Sequence, residues 1–152
     1  ELAMDILFIN GSPNPNGNTA ALAQELLKGK EYETLNLTDY RINCYGQELE
    51  GDQLDEVISK MKAARIIIVG SPLYWHNICG SVRNLLDRFY GRVPQGGLSG
   101  KTLYFLFQGA APEEWMLKAG DYTMKRFAGL YGMRYAGMAA SRAEVSKLAK
   151  TL

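Results

Sequence analysis

Residues 11–19, Gly-Ser-Pro-Asn-Pro-Asn-Gly-Asn-Thr, follow an apolar run and pass directly into helical spacing. A loop that opens a helix presents unpaired backbone N–H groups and the positive end of the helix dipole, and together these favour an anion. Ser12, Asn16, Asn18 and Thr19 add neutral side-chain donors, while Gly11 and Gly17 let the backbone approach closely. Hydrogen bonds to a charged group contribute about 1.5–3 kcal/mol each. The dipole contributes about 0.3–2 kcal/mol. Several such bonds outweigh the dipole, so a dianion can be held with no Lys or Arg in the loop. A nucleotide triphosphatase loop would need Gly-Lys-Ser/Thr where Gly17-Asn18-Thr19 stands, and Ser12-Pro13 breaks the G-x-G-x-x-G dinucleotide pattern. A terminal phosphate monoester, with no phosphoryl group to transfer, suits these donors best. Taken alone, the same loop also reads as a turn whose Ser, Asn and Gly cap a helix.

A second stretch shifts that balance. Residues 70–91 read GSPLYWHNICGSVRNLLDRFYG. Pro72 stiffens the exit of an apolar run, and Tyr74 and Trp75 follow at once with two large rings. Stacking between rings contributes about 0.5–1.5 kcal/mol beyond burial. Rings and free backbone groups beside a phosphate-holding loop suit a flat heteroaromatic molecule with a phosphate tail, a description met by flavin mononucleotide (FMN).

The elements that position these loops alternate along the chain. Apolar runs at 6–10, 33–37, 65–70, 102–108 and 133–139 predict strands. Ile66-Ile67-Ile68-Val69 is continuous and β-branched, as in a parallel strand covered on both faces. Between the runs, Leu22 and Leu26, then Leu54, Val57, Ile58 and Met61, then Val82, Leu85, Leu86 and Phe89 recur at helical spacing. Trp115, Ala119, Tyr122, Phe127 and Leu130 form a looser pattern, and Val145 and Leu148 a last one. Repeated strand–helix alternation implies an α/β fold: a three-layer, doubly wound, five-stranded parallel sheet with right-handed crossovers. In such a sheet ligands bind beyond the carboxyl ends of the strands, which selects the loops 11–19, 71–77 and 109–114.

The pair GSPNPNGNT and GSPLYW, with GSVRNLLDRF after it, resembles the NAD(P)H-dependent FMN reductase branch of the flavodoxin-like superfamily. The resemblance runs from Ile6 to about Gly109. It implies strand order 2-1-3-4-5, FMN as cofactor, NADPH or NADH as co-substrate, and a homodimer or homotetramer. It further implies that Ser12, Asn16, Gly17, Asn18 and Thr19 hold the phosphate. Pro72, Leu73, Tyr74, Trp75 and Asn77 would lie against the isoalloxazine, and Gly109 and Ala110 would approach it from a third loop. Many relatives carry clustered cysteines for an iron–sulfur cluster near position 44. Here INCYGQ keeps Cys44 alone, so no cluster forms from this segment. Catalysis would rest with the flavin rather than a side chain, with no metal site. The implied activity carries hydride from NAD(P)H through bound FMN to a small-molecule acceptor such as a quinone, free flavin or azo compound. The alternative is a flavodoxin-type electron carrier without turnover of its own.

Several residues have competing roles. His76, the one histidine, either faces a bound substrate or packs on a ring at the surface. Trp115 either closes over the third loop to shape a substrate pocket or packs in the core or an interface. Cys79 and Cys44 are expected as small apolar fillers, and Asp87 and Arg88 as a solvated helix face.

The 152 residues carry 17 Lys and Arg against 16 Asp and Glu, so the net charge of +1 gives no basic field for nucleic acid. No apolar run reaches the length that spans a bilayer. Two cysteines without zinc or redox spacing point to a cytoplasmic setting. Glu1-Leu2-Ala3 precede Met4, and residues 1–4 read as a leftover plus start methionine, leaving 5–152 as a single flavodoxin-like FMN-binding domain.

Overall fold

The computed structural model describes residues 5–152, so the reading of residues 1–4 lies outside the described residues. In chain order the elements are β1 (Ile6–Asn10), α1 (Asn18–Leu26), β2 (Glu33–Asn36), a 3-10 turn (Leu37–Asp39), α2 (Leu54–Ala63), β3 (Ile66–Tyr74) and β4 (Asn77–Ile78). There follow α3 (Gly80–Asp87), β5 (Thr102–Gln108), α4 (Glu114–Leu130), β6 (Arg134–Ala139) and α5 (Arg142–Ala149). The β-branched run of β3 forms the centre of the sheet. It pairs in parallel with β1 on one side and β5 on the other, and β2 and β6 complete the order β2-β1-β3-β5-β6. With β4 set apart as a short antiparallel partner of β3, this is the expected 2-1-3-4-5 arrangement.

The pleat explains why residues 6–9 of β1 and 66–69 of β3 are apolar throughout. Phe8, Ile66 and Ile68 face α1 and α5, where Leu22, Ala23, Leu26 and Val145 pack on them. Leu7, Ile9, Ile67 and Val69 face the other way, toward Val57 and Met61 of α2, Val82 and Leu85 of α3, and Met124 and Phe127 of α4. Each strand therefore buries both faces, as a parallel sheet between two helical layers requires.

Two features depart from the sequence expectation. β3 runs on past Gly70 to Tyr74, because Pro72 pairs with Gln108 and the chain then folds back as a hairpin. Arg88 is not on a solvated face. Its guanidinium makes a bidentate pair with Asp52 and also donates to the Asn43 carbonyl at 2.7 Å, leaving the side chain 15% exposed. With Asn84 donating to the Ile42 carbonyl at 3.0 Å, it pins the irregular segment 40–53 to α3. At the far edge the β5–β6 register slips. Tyr135 opposes Leu103 but Gly137 opposes Tyr104, so Ala136 is an extra residue, a bulge, beside a Gly137 with φ +132°. Among the described residues no helix is long and apolar enough to cross a membrane.

Candidate functional site

The loop after β1 is built by its own side chains. Asn10 Oδ1 accepts from the Ser12 N–H, Ser12 Oγ from the Asn14 N–H, and Asn14 Oδ1 from the Asn16 N–H, each at 3.1 Å. Alternate residues thus supply the acceptors, and the two prolines between them need none. Gly17 then caps α1 in extended geometry (φ −87°, ψ −162°) with no side-chain hydrogen bond at the cap. The first-turn amides of α1 are left to an external acceptor.

Ser12 is buried and spends its oxygen inside the loop, so only its hydroxyl proton is left for an anion. Asn16 and Asn18 are exposed, and Thr19 is fully buried at the floor.

The other two loops converge on this one through direct contacts. The Gly11 N–H donates to the Gly70 carbonyl at 2.8 Å, and Ser81 Oγ donates to the Gly11 carbonyl at 2.8 Å. A Cβ on Gly11 would lie 2.4 Å from Val82 Cγ2 and 3.0 Å from the Gly70 carbonyl oxygen, so glycine is needed for this approach. From the third strand-end, Gln108 Nε2 donates to Thr19 Oγ1 at 3.2 Å. That orients the Thr19 hydroxyl proton away from β5. Gly109 faces Leu73, where an added Cβ would stand 3.1 Å from the Leu73 Cβ. Pro72 is buried and Leu73 half-buried, whereas Tyr74, Trp75, His76, Asn77 and Ala110 are exposed at the rim.

Sequence reasoning missed the residues that join the loops. Gln108, Ser71 and Ser81 were not singled out, yet Ser71 Oγ accepts from the Cys79 N–H at 3.0 Å and donates to the Pro72 carbonyl. The available signal was polarity at the end of an apolar strand, strongest for Gln108 after Leu106-Phe107. Cys79 is buried, as expected of a filler, with its Sγ 3.5 Å from the Gly11 carbonyl. Cys44 is exposed, which corrects the expectation of a packed filler. Trp115 is 57% exposed and so is not a core residue. Its Nε1–H donates to Glu113 Oε2 at 2.6 Å, and the His76 ring stands 6.1 Å from its own.

Uncapped amides, close-approach glycines and neutral hydroxyl and amide donors fit the phosphate of FMN. Comparison with known proteins gives the fold and the family. Solved structures share the flavodoxin-like fold, among them the Trp repressor binding protein from Bacillus subtilis (TM-score 0.79, 21% identity, 97% of this chain and 99% of that one). Residues 4–141 match the NADPH-dependent FMN reductase family, and the chain belongs to that family. Curated relatives include an iron–sulfur flavoprotein of Methanocaldococcus jannaschii, 38% identical over 99 residues (56% of this chain, 51% of the relative). Another, from Archaeoglobus fulgidus, is 42% identical over 97 residues (56% and 48%). The chain spans about half the length of these curated relatives.

Proposed function

We propose that this chain binds FMN where the three loops meet and serves as the flavin-bearing unit of an NAD(P)H-dependent oxidoreductase with a small-molecule acceptor. The observation that carries the reading is the uncapped start of α1, held open beneath loops from β3 and β5. When bound, FMN would supply hydride acceptance and donation. The chain's own residues bind and orient it. The α1 first-turn amides, Gly17, Asn16, Asn18 and the Thr19 hydroxyl grip the phosphate, with the Ser12 hydroxyl proton as a further donor. Pro72, Leu73, Tyr74, Trp75 and Asn77 frame one edge of the ring, and Gly109 and Ala110 the other. His76 and Trp115 line the approach from solvent. NADPH or NADH is the reductant, and a quinone, free flavin or azo compound the acceptor.

Self-association belongs to the same reading. Exposed Tyr90, Tyr122 and Leu130 border a groove of about 350 Å³ between α3 and α4, with Arg83, Asp87 and Arg126 along it. Opposite charges beside aromatic rings suit a second copy of this surface.

FMN titration of the Asn18→Ala, Thr19→Ala double variant tests the assignment. Two lost charge-assisted bonds amount to about 3–6 kcal/mol before compensation, so affinity falls by well over tenfold. Unchanged affinity would remove the phosphate site. Anaerobic NADPH or NADH bleaches the bound flavin if the chain is an oxidoreductase, and leaves it yellow if it is only an electron carrier.

A further inference from the structure

Asn10 closes a strand whose other residues, Ile6, Leu7, Phe8 and Ile9, are apolar, and it is fully buried. A buried amide is costly unless both of its ends are paired. The Asn10 oxygen accepts from the Ser12 N–H at 3.1 Å, and its nitrogen donates to Asn36 Oδ1, also at 3.1 Å. The orientation has no alternative. A backbone N–H can only donate, so the Asn10 oxygen must face Ser12 and its nitrogen must face Asn36. Asn36 in turn must present its oxygen. The parallel register sets these two residues side by side at the carboxyl ends of β1 and β2.

Asn36 gives up a local role to make this contact. It stands as the N-cap of the 3-10 turn Leu37–Asp39, where an Asn oxygen ordinarily accepts from the N–H groups that follow, yet no side-chain hydrogen bond caps that turn. From Asn10, side-chain links to backbone N–H groups continue through Ser12 and Asn14 to Asn16, each spanning two residues. Asn36 instead reaches the root of that series from 26 positions along the chain. We propose that Asn36 is a positioning residue for the phosphate of FMN. By holding the Asn10 amide in one orientation it fixes the path of residues 12–16, and with it the placement of the loop's donors. It acts through Asn10, not on the flavin. The inference rests on the FMN reading of the crevice between the three loops.

The experiment titrates the flavin-free chain with FMN and with riboflavin, which has the same ring system and no phosphate, and follows flavin fluorescence. Asn36→Leu keeps the size of the side chain but leaves the Asn10 nitrogen without its acceptor. It is expected to weaken FMN binding at least about fivefold while riboflavin binding stays within about twofold. A merely structural loss would move both flavins together. In amide hydrogen exchange of the flavin-free protein, the Ser12 N–H is expected to exchange at least about fivefold faster in Asn36→Leu. Asn36→Asp keeps an acceptor and is expected to restore that protection, in a measurement where its charge has no phosphate to repel. Should Asn36→Leu fail to fold, Asn36→Ala carries the same expectations. Unchanged FMN affinity, equal losses for the two flavins, unaltered Ser12 exchange, or no restoration in Asn36→Asp would each overturn the proposal. An unsubstituted chain that binds FMN no tighter than riboflavin would instead remove the phosphate site itself, and this proposal with it.

Discussion

Two helices begin at the same end of the sheet and are started in opposite ways. At α5, Ser141 Oγ accepts from the Glu144 N–H, and Glu144 Oε1 accepts from the Ala140 N–H at 2.8 Å. The chain satisfies those donors itself, in the manner of a capping box. At α1 the cap is Gly17, which has no side chain, and the side-chain acceptors of Asn10, Ser12 and Asn14 are turned back onto residues 12–16. One helix start is finished by the fold, and the other is left without a side-chain cap. A helix end is informative as a site when the surrounding sequence has conspicuous capping residues and does not use them on it.

The sharpest way to break the contrast is to close α1. Gly17 has a conformation open to any residue, and the atoms nearest an added Cβ belong to the Asn14 side chain, at 3.1 Å. Gly17→Asp should stabilise the FMN-free protein by about 0.3–1 kcal/mol through the dipole. Its carboxylate would occupy the phosphate's donors and repel the anion, so FMN affinity should fall roughly hundredfold or more. Opposite signs in thermal melts and FMN titration are the expected signature, and tight FMN binding by the variant would refute the open-site reading.

Next in size is the approach to each helix. Position 140 before α5 already carries a methyl, but Gly11 has no room for one. Gly11→Ala should cost about 1–3 kcal/mol by overpacking against Val82 and Cys79, seen as a lower denaturant midpoint together with weaker FMN binding. Ser141→Ala should cost about 1 kcal/mol of stability and leave FMN affinity where it was. A matched loss of FMN binding would show that the two helix starts are not independent.

The smallest effect concerns the segment closed by charge. The Arg88 guanidinium hydrogen-bonded to Asp52, helped by the Asn43 N–H, holds that carboxyl below its ordinary value of 3.8. A folded-state value that is depressed contributes stability above the unfolded pKa and loses it as pH falls through the folded one. Asp52→Asn should therefore flatten the acid limb of the stability profile below pH about 4. An unchanged limb would show that Asp52 plays no part in holding residues 40–53.

The parallel core and the two motif loops were legible because their signals are local. β-Branched runs mark β3, and Gly, Pro and Asn punctuate the loops. What stayed hidden depends on partners far along the chain. Gln108 reaches Thr19 across 89 positions, and Arg88 meets Asp52 across 36, so neither residue type reveals its role by itself. The backbone of Trp75 and His76 was hidden for another reason. Their side chains argue against the left-handed region, and the hairpin overrides that preference.

The slipped register along β6 has a consequence for aggregation. Ala136 interrupts the ladder and Gly137 bends the outer strand, so that border offers an incoming strand no regular template. The opposite border, β2, is four residues long and is flanked by the ion pair of Glu33 with Lys60. Both borders are thereby blunted against fibril-like, strand-by-strand growth.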